Sequence, residues 1–229
     1  PISMNCAHST CRDAVRTGRS GEARLSVGDG VEVRVSPRSE FSIREINEGL
    51  SRVRLEVGHV SASIDEKGNR ILRVEAAGSD AVVESSGGDF GMVSAGLGQV
   101  AVATAKGQVK LKAKGKAQVV AAGEQSVVLK NQEPSAPTPV PTSVLLKVAD
   151  PVRRTTNATV TYVEGSTAPG SVVRVGGRLT TVTEKGKFRV PVRLKDGENR
   201  ITVAVTDARG RTKQQNMPPI VVDREKPTI

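Results

Sequence analysis

Arg52-Val53-Arg54-Leu55-Glu56-Val57-Gly58-His59-Val60-Ser61-Ala62-Ser63-Ile64 is the stretch that decides the fold of this chain. Every second residue is apolar up to Val57, and the alternation resumes from Val60 to Ile64. A period of two sends one set of side chains to a buried face and the other to solvent, as in a half-buried strand. Gly58 interrupts the pattern and is expected to separate two short strands. Further along, Gln99-Val100-Ala101-Val102-Ala103-Thr104 alternates in the same way, meets Lys106-Gly107, and continues as Gln108-Val109-Lys110-Leu111-Lys112-Ala113. Short alternating runs with turn signals every 8–12 residues or so predict an all-β chain.

Composition sharpens that expectation. Among 229 residues there are three Phe, one Tyr and no Trp. The interior must therefore be built from Val, Ala, Leu and Ile and must be thin. Ala101, Ala103, Ala113 and Ala117 suit the inside of a narrow β-roll or β-helix-like coil. No stretch approaches the ~20 apolar residues of a bilayer-crossing helix. Helical periodicity is nearly absent, which excludes the usual α/β nucleotide-binding enzymes.

The clearest boundary is Asn131-Gln132-Glu133-Pro134-Ser135-Ala136-Pro137-Thr138-Pro139-Val140-Pro141-Thr142-Ser143. Its prolines favour an extended polyproline conformation, so residues 132–143 are expected to act as a strut holding two units apart. The expected division is a lead-in at 1–21, a β domain at 22–131, the linker, and a sandwich at 144–223. Residues 224–229 would be the junction to a further module. Pro1 is no initiator, so a removed export signal or upstream region is expected. After the linker, Gly176-Gly177, Lys185-Gly186 and Asp196-Gly197 punctuate alternating runs, and about seven strands in this length fit an immunoglobulin-like sandwich. Pro191 within such a run predicts an edge strand or a bulge. Tyr162 and Phe188 occupy expected core positions.

These residues carry two resemblances. Gly28-Asp29-Gly30-Val31-Glu32-Val33, Val53 to Val60, Gly87-Gly88-Asp89-Phe90, Lys106-Gly107-Gln108-Val109 and Ala122-Gly123-Glu124-Gln125 resemble, in order and spacing, the FecR-type domain of bacterial envelope proteins. Signalling members of that family hold this domain in the periplasm, joined through a membrane helix to a segment that controls a sigma factor. Gly165 to Gly177, Gly186-x-Phe188, Leu194-x-x-Gly197-x-Asn199-x-Ile201-x-Val203 and Asp207-x-x-Gly210 are similar to bacterial Ig-like modules of the glucodextranase type. The resemblance implies structural roles for these glycines and for Asn199.

Charge indicates the expected partners. The net charge is +10, and residues 144–229 hold 16 Lys/Arg against 8 Asp/Glu. An anionic wall or surface polymer, or an envelope protein, is the expected partner. Nucleic acid is not expected, because no set of stacking rings accompanies the positive charge. The candidate anion-binding residues are Lys110, Lys112, Lys114 and Lys116, read as one face of a strand, together with Arg174, Arg178, Lys187 and Arg189. Lysines on an outer strand also guard a sheet edge against pairing, which is the competing reading of the first set. Cys6 and Cys11 are expected to form a local disulfide. A metal site with His8 is the alternative, although structural zinc wants a fourth ligand. His59 is expected to be a satisfied side chain and not a base, and no catalytic residue, metal or cofactor is expected. The functional expectation is a non-enzymatic scaffold or adhesion protein of the periplasm or cell surface, with a membrane tether in further sequence as one option. The alternative is the sensor portion of a FecR-type regulator.

Overall fold

The computed structural model describes residues 14–151 and 154–224. Among them every element is a strand except one 3₁₀ turn at Glu66–Gly68. The first unit begins with β1 (Ala14–Arg16), β2 (Ala23–Ser26), β3 (Val31–Val35) and β4 (Glu40–Ile46). Next come β5 (Leu50–Ile64), β6 (Ile71–Ala76), β7 (Val82–Ser85), β8 (Gly88–Ser94) and β9 (Val100–Ala113). It ends with β10 (Lys116–Ala121), β11 (Glu124–Val128) and β12 (Thr138–Pro139).

Two long strands organise this unit. The first half of β5 runs parallel to β6, β6 pairs β7, and β7 pairs the second half of β9. The first half of β9 pairs β8, which returns to the second half of β5. The circuit β5–β6–β7–β9–β8 is closed, which removes the unpaired edges of its members. β4 and β3 flank the two halves of β5, and β10 and β11 flank the two halves of β9.

Gly58 does not end a strand, as the sequence suggests; it bends one. Its φ is 102°, and a Cβ there would lie 2.2 Å from Ser39 Oγ. Only glycine takes that backbone at that distance, so β5 turns at Gly58 and changes sheets without breaking. Alternate residues of the long strands fill the barrel: Val53, Leu55, Val60, Val100, Val102 and Leu111 are all buried, around the rings of Phe41 and Phe90. Each such aliphatic side chain contributes about 1.5–3 kcal/mol by leaving water.

The second unit contains β13 (Leu146–Val148), β14 (Thr155–Thr156), β15 (Val160–Thr167), β16 (Val172–Val175) and β17 (Arg178–Thr180). β18 (Lys187–Arg193), β19 (Gly197–Asn199), β20 (Thr202–Thr206), β21 (Thr212–Asn216) and β22 (Ile220–Val222) follow. Sheet β13–β15–β18 packs on sheet β17–β16–β20–β21, with a small sheet β14–β22–β19 alongside. Val163, Phe188 and Val190 from one meet Val173, Val175, Val203 and Val205 from the other. The chain is therefore all-β, a barrel-like roll followed by an Ig-like sandwich. Gly176 and Gly177, with φ of 54° and 90°, make the two-residue turn between β16 and β17. Pro191 sits on edge strand β18, where its missing N–H costs no ladder bond. Tyr162 departs from expectation: Val163 takes the core position, and Tyr162, one residue out of phase, is 53% exposed.

The proline-rich segment is not a free strut. Thr138 and Pro139 pair with Gln125 and Glu124, Val140 N–H donates to Gly123 O at 2.9 Å, and Ser135 N–H donates to Val127 O at 2.8 Å. Polyproline and strand backbones lie close in φ/ψ, so the non-proline residues can donate to β11 while the prolines point their missing donors elsewhere. The two units consequently touch. Val93, Ala95, Ala101 and Ala103 on the outward face of β8 and β9 pack against Val172 and Ala208. Ala101 and Ala103 therefore lie outside the barrel, facing the sandwich, because Val100 and Val102 take the inward positions. Ala113 is in the barrel core, whereas Ala117 on β10 is exposed.

Candidate functional site

The outward face of β3, β5, β8 and β9 is only partly covered by the sandwich. Beside the covered part, alternation brings out Glu32 and Arg34 on β3, Ser61 and Ser63 on β5, and Asp89 on β8. These short side chains leave a shallow groove of about 450 Å³ whose far wall is Arg209 of the sandwich. It adjoins a second, about 690 Å³, that shares Glu32, Ser63 and Asp89. Much of the rim charge is internally paired: Arg24–Glu32 at 3.3 Å and Lys106–Glu66 at 3.8 Å. Such a shallow, open trough suits a macromolecular surface better than a small ligand, whose sites are enclosed. Along β5 the polar alternates change from Arg52, Arg54 and Glu56 to Ser61 and Ser63, a faint local signal that the alternation pattern by itself does not turn into a groove.

The groove's sandwich wall is held by polar contacts that also fasten the two units. Asp207 accepts the N–H groups of Arg209 and Arg211 at 3.0 and 2.9 Å and pairs with the Arg211 guanidinium at 2.7 Å. Arg211 also donates to Pro141 O and Thr142 O, each at 2.7 Å, tying the linker to the β20–β21 turn. Gln99, 1% exposed, donates to Ser171 O at 3.3 Å and accepts from Val182 N–H at 3.0 Å.

His59 is buried in the same junction. Its Nε2 lies 3.2 Å from Ala208 O, which can only accept, so Nε2 carries the proton. Nδ1 then accepts from Ser36 Oγ at 2.8 Å. Gly210 presses on the ring so closely that a Cβ there would lie 2.5 Å from Cε1. Burial pushes the His59 pKa down to about 4, outweighing the opposite pull of the Ala208 carbonyl and the Asp207 charge. His59 is neutral and fully satisfied: a joint, with no access to a substrate.

The predicted basic sets do not assemble as expected. Lys114-Gly115, with φ of 50° and 74°, forms the turn between β9 and β10, so Lys110 and Lys112 lie on one strand and Lys116 on the next. The expected single row is folded in half. Lys112 pairs with Glu84, and Lys114 lies 3.8 Å from Asp80. The Glu84 carboxyl is held below its ordinary pKa first by its hydrogen bond to Lys112, against its own partial burial, with Arg73 helping. In the sandwich, Val173 and Val175 point to the core and Arg174 to the opposite side, toward the barrel. Phe188 and Val190 point to the same core from the other sheet, which turns Lys187 and Arg189 away from the barrel. Arg174 is thus separated from Lys187 and Arg189 by the thickness of the sandwich, and Arg178, paired opposite core-facing Val175, does not share the face of Arg174 either. The Arg174 pKa is lowered by desolvation and then by Arg38. Cys6 and Cys11 lie outside the described residues. Among the described residues no cluster of three or more His, Cys, Asp or Glu could hold a metal ion, and no helix is long and apolar enough to cross a membrane.

Residues 13–110 match the family model described as FecR protein, and residues 145–223 match that of glucodextranase, domain B. The chain thus joins a stretch similar to FecR proteins to one similar to glucodextranase domain B. A crystal structure of a candidate anti-sigma factor from Parabacteroides distasonis is similar at a TM-score of 0.51 and 11% identity, over 80% of this chain and 86% of that one. A second such structure from the same organism aligns at 0.49 and 16% identity over 56% of this chain, which spans 59% of its length. At these identities the likeness is one of fold. A comparison with curated proteins finds no match. The FecR match ends inside β9, and Val127 of β11 and Val140 of the linker, beyond the matched stretch, pack at the contact with the sandwich.

Proposed function

We propose that this chain is the envelope-side sensor portion of a FecR-type signalling regulator, working by protein contact and not by catalysis. The FecR match over residues 13–110 carries the reading, because that stretch supplies most of the closed barrel and most of the groove on its outward face. FecR proteins are membrane-spanning regulators with periplasmic domains, which favours a periplasmic setting for both units. The candidate anti-sigma factor of like fold points the same way. The groove is the surface on which a partner protein would act, and Arg209 makes the sandwich part of it. The scaffold and adhesion reading drawn from the sequence has no comparable support.

Transcript profiling after deletion of the gene in its native host separates the two. A regulator shifts one alternative-sigma regulon, and the intact protein restores it while a Ser61→Arg version with a filled groove does not. Unchanged transcription alongside an altered envelope overturns the sensor reading in favour of a scaffold.

A further inference from the structure

The sheet β13–β15–β18 faces away from the barrel and is left open. Leu146 and Val148 turn toward the sandwich core, so Lys147 between them points outward. Along β18 the outward positions are Lys187, Arg189, Pro191 and Arg193, a row spanning about 20 Å at the strand rise. The register sets Tyr162 beside Pro191 and Val160 beside Arg193. Val160 is 40% and Tyr162 53% exposed, although neither is polar enough to favour water. The Arg189 guanidinium lies 4.1 Å from the centroid of the Tyr162 ring and its Nε is 2.9 Å from Glu164. That contact presents the ring in one orientation.

Among the described residues, Glu164 is the only carboxylate at the outward positions of β13, β15 and β18, against the four cations Lys147, Lys187, Arg189 and Arg193. Among the described residues Lys147, Lys187 and Arg193 form no ion pair. A flat strip of Val160, Tyr162 and Pro191 therefore runs between positive groups that have nothing to neutralise them.

We propose that this face binds a carboxylate-bearing polysaccharide, its sugar rings lying on the Val160–Tyr162–Pro191 strip and its carboxylates meeting Arg193 and Lys187. Pyranose rings present flat C–H faces that pack on such a strip, and their acid groups project from the ring edge toward the flanking cations. Nucleic acid needs successive stacking rings, and this face offers one, covered on one side by Arg189. The proposal is independent of the sensor reading, since it concerns the opposite side of the sandwich from the groove.

Affinity electrophoresis of the full chain through gels containing polygalacturonate, alginate, dextran or duplex DNA tests it. The expected result is retardation by polygalacturonate or alginate and none by dextran, with binding lost between ~50 and ~500 mM salt. Arg193→Glu and Tyr162→Ser should each weaken it about tenfold or more, while Lys110→Glu on the barrel leaves it unchanged. All three positions are at the surface, and an unchanged melting temperature shows that each variant is folded. Retardation by neither acidic polysaccharide, equal retardation by DNA, or binding indifferent to both Arg193→Glu and Tyr162→Ser overturns the proposal.

Discussion

Acid should loosen the joint between the two units through one residue. His59 is neutral in the folded protein with its pKa lowered from 6.5 to about 4, whereas in the unfolded chain it titrates near 6.5. A depressed histidine leaves the unfolded state with more protons between those values, so its stabilisation is complete above pH 6.5 and is lost as the pH falls toward 4. At pH 4.5 the loss amounts to about 2–3 kcal/mol by linkage. Other groups titrate in this window, so the comparison is with His59→Gln, whose amide can still donate toward Ala208 O but cannot take up a proton. Urea denaturation of both proteins at pH 7.5, 6, 5 and 4.5 gives the difference directly. The account expects the wild type to lose about 2–3 kcal/mol more than the variant over that range. Parallel pH profiles for the two proteins would refute the assignment of His59 as a buried neutral joint.

Gly58→Ala should cost about 3 kcal/mol or more, because it adds a strained positive φ to a clash with Ser39 Oγ; a loss under about 1 kcal/mol by denaturant unfolding would show that β5 does not bend there. Gln99→Leu keeps the volume but strands Ser171 O and Val182 N–H, so a loss of about 2–4 kcal/mol is expected, visible as earlier unfolding of the sandwich. Glu84→Gln removes a stabilisation that is present above pH 4.5 and fades as the pH falls below it; the difference from wild type should shrink with acid, and a constant difference would contradict the ion pairing with Lys112 and Arg73.

The fold was legible because period two survives in nearly every run: Val53, Leu55, Val60 and Leu111 are where alternation puts them. What failed did so for identifiable reasons. Alternation at Lys110 to Lys116 continues smoothly through a turn, and only Lys114 adopting positive φ beside Gly115 reverses the chain. The pattern Val-Ala-Val-Ala at 100–103 does not say that its alanines face a second unit, since a strand covered on both sides looks like one with a small interior. Tyr162 was misplaced by one residue of register, which in a strand is the whole difference between core and solvent. The groove and the joint were least legible. Gln99, His59 and Asp207 act through backbone atoms of residues 72 to 149 positions away or through a linker carbonyl, and such partners leave no local pattern.

That barrel and sandwich form one body through Gln99, His59, Arg211 and the small alanine cluster is tested most directly by residual dipolar couplings in weakly aligned solution. One alignment tensor should fit the N–H vectors of β1–β12 and β13–β22 together. Two tensors of different magnitude or orientation would mean that the units move independently and that the joint described here does not hold.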